Sequence, residues 1–134
     1  MPFAMQWPAR VPAGQVYRKT ISSLDVAPTF LAAAGATAER PLDGVDLMPY
    51  VSGKNAGVPN EKLFWRMGRN SAARIRNWKL IQIGGKAKLY DLAADIGEKK
   101  DLAAEKPDVV RETVAAWTEW NSKMVAPLWQ PRGT

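Results

Sequence analysis

The hydrophobic pattern changes character several times along the chain. Residues 2–8, PFAMQWP, form a short apolar run that reads as a strand ended by Pro8, with a Pro- and Gly-punctuated turn through Gly14. Val16 to Ile21 reads as a second short strand. Ser22-Ser23-Leu24-Asp25 then precedes a helical run from Val26 to Ala34 that stops at Gly35. Ser23 or Asp25 is placed to cap orphan backbone donors, Pro28 fits the first turn, and Gly35 suits a left-handed helix end. Leu24, Pro28, Leu31 and Ala32 give this helix an apolar side. Over residues 36–60 the pattern breaks up. Pro41, Gly44, Pro49, Gly53, Gly57 and Pro59 leave room for one helical turn near Leu47–Val51, as in a connector between a larger and a smaller domain.

From 61 to 92 the period falls to that of strands. Lys62–Met67, Ala72–Arg76, Trp78–Ile83 and Lys88–Leu92 are short runs rich in aliphatic and aromatic residues, with Asn77 and Gly84-Gly85 at the reversals. In the third run Trp78, Leu80 and Gln82 alternate with Lys79, Ile81 and Ile83, so both faces carry apolar residues and the strand belongs inside the sheet. After Pro107 and Asp108 the period becomes helical. Val109, Val110, Val114, Trp117, Trp120 and Met124 fall on one face, with Arg111, Glu112, Glu119, Ser122 and Lys123 opposite. A helix of this pattern covers a sheet, and burying its indoles contributes about 4–6 kcal/mol before entropy is charged. The fold class is therefore α+β: an antiparallel four-stranded sheet under a C-terminal amphipathic helix, over residues 61–134.

Composition bounds the function. The chain has 134 residues, is 46% hydrophobic and 24% charged, and so is built as a globular protein with a core. No apolar run is long enough to span a membrane, and MPFAMQWPARVPAG lacks the basic start and apolar block of a signal peptide. With no cysteine and no histidine, the sequence holds no disulfide, no thiolate or imidazole metal ligand and no Ser–His–Asp triad. Phosphate-loop and dinucleotide fingerprints are absent as well.

The net charge of +6 raises the question of an anionic partner, but the basic residues are scattered, most densely between Arg66 and Lys88 on the strands. A solvated sheet face accounts for that pattern more simply than nucleic acid does. Asp43 and Asp46, and then Asp91, Asp95, Glu98 and Asp101, read as turn and cap chemistry before they read as calcium ligands. Trp65 and Arg66 on one strand are candidates for a ligand groove, since an aromatic suits a sugar ring and an arginine suits sulfate or phosphate oxygens. A tryptophan at strand spacing is nonetheless more often core.

Four segments, taken in order, resemble the C-terminal end of the sulfatases, in the arylsulfatase and glycan-sulfatase branch. They are Pro2-Phe3 with Met5-Gln6-Trp7-Pro8 and Gly14; Ser23 to Thr29 with Ala34-Gly35; Leu42-Asp43-Gly44-Val45-Asp46-Leu47 with Pro49 and Gly53; and Arg74, Trp78-Lys79-Leu80-Ile81, Leu89-Tyr90-Asp91-Leu92, Asp95, Glu98 and Leu102-Ala103. Ile96 and Asp101 depart from the family's usual proline and asparagine.

The resemblance implies that residues 1–35 are the last strand and helix of an incomplete α/β catalytic domain, 36–60 a connector and 61–134 the small C-terminal subdomain. It also implies hydrolysis of aryl or glycan sulfate esters by a formylglycine made from a C/S-x-P/A-x-R motif, with a bound calcium. The nearest approach to that motif, Ser71-Ala72-Ala73-Arg74-Ile75, has isoleucine where arginine is required. No catalytic or metal residue of the family maps onto this chain, which is expected to be inactive by itself. Trp65, Arg66 and Arg74 are retained as a candidate wall of the substrate cleft.

The apolar run Phe3–Trp7 is expected to need sheet neighbours from a catalytic domain or from another chain. Two other readings remain: a basic module binding anionic glycan or, less simply, nucleic acid, and a structural assembly piece. The targeting of the chain is not legible, although the family is often exported.

Overall fold

The computed structural model describes residues 3–126. It divides into two units, Met1–Asn60 and Glu61–Thr134.

In the first unit, residues 3–21 carry neither strand nor helix, so neither the run Phe3–Trp7 nor Val16–Ile21 forms the expected strand. The only backbone order at Trp7 is a turn, in which its carbonyl accepts the amides of Arg10 and Val11. A strand is held by its neighbours' hydrogen bonds, and residues 3–21 find no pairing strand among the described residues. A 3₁₀ turn, Ser23–Asp25, then leads into α1, Val26–Ala33. The cap is Ser22 rather than Ser23: its hydroxyl accepts Leu24 N–H at 3.3 Å, while Asp25 Oδ2 accepts Ser22 N–H at 2.7 Å. The helix ends at Gly35, whose φ of +68° is left-handed, as expected. A single-turn helix α2, Met48–Val51, sits where the connector left room for it.

The second unit is a four-stranded antiparallel sheet in the order β1-β2-β3-β4. The strands are β1 (Lys62–Met67), β2 (Asn70–Ile75), β3 (Trp78–Ile83) and β4 (Lys86–Asp91), followed by helix α3 (Pro107–Ser122). β2 and β4 each begin two residues earlier than the hydrophobic runs suggest, because two-residue turns let pairing start at once. At Gly84-Gly85 both residues have positive φ, +57° and +79°, which a tight type I′ reversal requires.

The register sorts the side chains. Phe64, Ala73, Leu80 and Leu89 form one cross-strand row, and Ala73, Leu80 and Leu89 are fully buried. Helix α3 lies against β2 and β3. The Trp120 ring stacks on Phe64 with centroids 5.5 Å apart. Trp117 and Trp120 stay half-buried, so they contribute less than full burial would. Thr113, absent from the anticipated apolar face, is buried, its hydroxyl satisfied by Val109 O at 2.7 Å. Met124 lies beyond the end of α3 and is exposed.

Candidate functional site

Trp65, Arg66 and Arg74 do not converge. Strand alternation sends Arg66 to the helix side of the sheet, where Nη1 donates to Asn121 Oδ1 at 2.6 Å and Nη2 to Val125 O at 2.7 Å. Arg66 thus holds the C-terminal end of α3, where a cation suits the helix dipole. Trp65 and Arg74 share the opposite face, with Leu63 paired to Arg74 and Trp65 to Ala72. Trp65 is 48% exposed, so it is not the core residue that strand spacing favours, although its carbonyl accepts the Trp117 indole N–H at 3.0 Å. Arg74 donates Nε–H to Arg76 O at 3.2 Å.

The acidic residues are committed to the backbone. Asp95 Oδ2 accepts the amides of Lys99 and Lys100 at 2.7 and 2.8 Å. Asp101 Oδ1 accepts those of Leu89 and Ala103, each at 3.0 Å. These backbone donors hold both carboxyls below the ordinary aspartate range. Asp101 and Leu102 together occupy the outer edge of β4, since Leu102 N–H donates to Leu89 O at 2.8 Å. Asp91 Oδ1 accepts Ala93 N–H, and Glu98 reaches Lys79 Nζ at 2.5 Å.

Sequence reasoning missed the densest polar centre. Asp25 is completely buried, and its carboxylate accepts Ser22 N–H, Val45 N–H at 3.0 Å and Asn60 Nδ2–H at 2.7 Å. Its own carbonyl accepts the Thr29 hydroxyl at 2.6 Å, and that hydroxyl accepts Leu47 N–H at 2.9 Å. Gly44 crosses Leu24 so closely that a Cβ would lie 2.1 Å from its carbonyl oxygen. Asp25, Thr29, Gly44 and Leu47 therefore lock the connector onto α1. The local signal for it is the S-x-x-D spacing of Ser22 and Asp25, while its other carboxylate partners lie twenty and thirty-five residues away.

Beside this lock lies an apolar groove of about 330 Å³, lined by residues including Phe3, Met5, Val16, Tyr17, Leu47 and Val51. The Tyr17 hydroxyl is buried there without a partner among the described residues, and burial, with Tyr50 adding to it, pushes its phenol up. A calcium ion does not fit these residues. Among those described, no group of three or more His, Cys, Asp or Glu could hold a metal, and the carboxylates of Asp25, Asp95 and Asp101 already accept hydrogen bonds.

Comparison with known proteins agrees with the resemblance. Residues 1–118 match the family described as N-sulphoglucosamine sulphohydrolase, C-terminal. Arylsulfatase G of Rattus norvegicus is 32% identical over 99 residues, covering 68% of this chain and 19% of that protein. Human steryl-sulfatase is 38% identical over 66 residues, 48% of this chain and 11% of its own length. Among solved structures, Ps i-CgsB superimposes with a TM-score of 0.78 at 27% identity over 92% of this chain and 29% of that one. BT4656, solved in complex with its substrate D-glucosamine-2-N,6-O-disulfate, shares the fold at a TM-score of 0.64 and 22% identity, over 87% of this chain and 27% of that one. The chain thus spans only a minor part of the relatives it matches. It belongs to the sulfatase family, as a segment from the C-terminal part of that enzyme.

Proposed function

We propose that this chain is the scaffold portion of a sulfuric ester hydrolase acting on aryl or glycan sulfates, inactive alone. The observation that carries this reading is how the family-like residues are used. Asp25, Thr29, Gly44 and Asp95 are spent on backbone hydrogen bonds and close packing, leaving none of them as nucleophile, base or ligand. In the complete enzyme a formylglycine would supply the attack on sulfur and a calcium ion would hold the sulfate oxygens, with the formylglycine and the calcium ligands lying outside this chain.

The open lining around Tyr17 and the unpaired run Phe3–Trp7 support completion of residues 1–35 by a catalytic domain. Arg74 is the residue retained for the cleft wall, as Arg66 is committed to α3. A sulfated sugar is a fitting substrate, given that BT4656 was solved with D-glucosamine-2-N,6-O-disulfate as its substrate.

The test is a chimaera of rat arylsulfatase G whose matched 99-residue stretch is replaced by this chain. The proposal expects aryl sulfate turnover by the chimaera. A folded chimaera without turnover would contradict it.

A further inference from the structure

Between the first turns of α3 and the β2–β3 reversal lies a cavity of about 390 Å³, within the span of small-molecule sites, roughly 300–1,000 Å³. Ile75, Trp78 and Val109 make its apolar wall, each half-buried. Ile75 and Trp78 are cross-strand partners on the helix side of the sheet, and Lys62 extends their row. Around this wall stand Glu61, Lys62, Arg76, Asn77 and Glu112, all exposed.

Unlike Asp95 and Asp101, these polar groups are not spent on the protein. Among the described residues the side chains of Lys62, Asn77 and Glu112 make no hydrogen bond, and Arg76 Nε comes no nearer than 4.0 Å to Glu61 Oε2. The backbone that carries them is nevertheless fixed, since Arg76 N–H donates to Glu61 O and Leu92 N–H to Asn77 O, each at 2.8 Å. Arg76 also holds a φ of +52°, a region that side-chain-bearing residues seldom occupy. Glu98 shares that region at +53°, but its carboxylate is used on Lys79 Nζ. The Arg76 guanidinium has no such use among the described residues.

We infer that this cavity binds a sugar ring that carries no charged substituent. An indole wall suits the C–H face of a pyranose, while carboxylate, carboxamide and guanidinium groups bridge neighbouring hydroxyls. Charge selects the neutral ring. Glu61 and Glu112 offset Lys62 and Arg76, so a sulfated or carboxylated ring would meet two carboxylates. In a chain of net charge +6, a rim of mixed sign is not where a polyanion gathers. The inference goes beyond the scaffold reading, which gives this side of the sheet no ligand.

The test is titration of the full 134-residue chain with N-acetylglucosamine, galactose, a trisaccharide of each, and inorganic sulfate, followed by NMR at the Trp78 indole N–H and the Asn77 carboxamide. Saturable shifts at both groups are expected with at least one neutral sugar, with an affinity that salt leaves unchanged. Trp78→Ala should weaken that binding about tenfold. Because Trp78 is partly buried, Asn77→Ala and Glu112→Ala, at exposed positions, provide the second check. Each should keep the parent's melting temperature and weaken binding several-fold. No shift with any of the neutral sugars overturns the inference. A response to sulfate alone that fades as salt rises overturns it too, as does sugar binding that Asn77→Ala and Glu112→Ala both leave intact. Each of these failures leaves the scaffold reading standing, which the chimaera decides separately.

Discussion

The Asp25 carboxylate accepts the Val45 amide hydrogen at 3.0 Å, tying the start of α1 to a residue twenty positions further on. The same carboxylate holds Ser22 and Asn60, so a single buried group fixes three places in the first unit. Removing it leaves buried donors unsatisfied, at roughly 1–3 kcal/mol each. Asp25→Ala is expected to destabilise this unit by about 3 kcal/mol or more. Hydrogen exchange checks it directly: the Val45 and Leu47 amides should lose protection together, while the Leu89 amide, in the other unit, keeps its own.

Arg66 separates a structural from a substrate-binding account of its strand. Its contacts with Asn121 and Val125 predict that Arg66→Ala loosens the end of α3 and costs about 1–2 kcal/mol, with faster exchange at the Lys123 and Met124 amides. Arg74→Ala should leave those amides unchanged, since Arg74 lies on the other face of the sheet.

Asp95 and Asp101 make the second unit acid-sensitive. Backbone hydrogen bonds depress both carboxyls in the folded chain. A depressed folded value means that the stabilisation is fully present above the unfolded value of about 4 and is lost as pH falls through the lower folded value. Thermal melts followed by circular dichroism should therefore be flat near neutrality and fall below about pH 4. Asp101→Asn, which no longer titrates, should show a shallower fall than the parent.

Legibility in the sequence followed how local the controlling physics was. Period-two alternation and the Gly84-Gly85 reversal placed every strand of the second unit to within two residues, and Pro107 marked the start of α3. Met124 was misassigned because helical periodicity does not announce where the helix stops, and Lys123 already caps it. The run Phe3–Trp7 has the composition of a strand, yet composition supplies no neighbour to pair with. The Asp25 centre could not be assembled from spacing, since its partners lie twenty and thirty-five residues away. Trp65 and Arg66 are adjacent in sequence and therefore on opposite faces of a strand, a separation that pairing them by sequence overlooks.

The central claim is that this chain carries a sulfatase's framework and none of its chemistry. The most direct measurement is hydrolysis of an aryl sulfate by the purified 134-residue chain, with calcium supplied. The account predicts no turnover above the uncatalysed rate. Turnover that requires the chain and disappears on calcium chelation would contradict it.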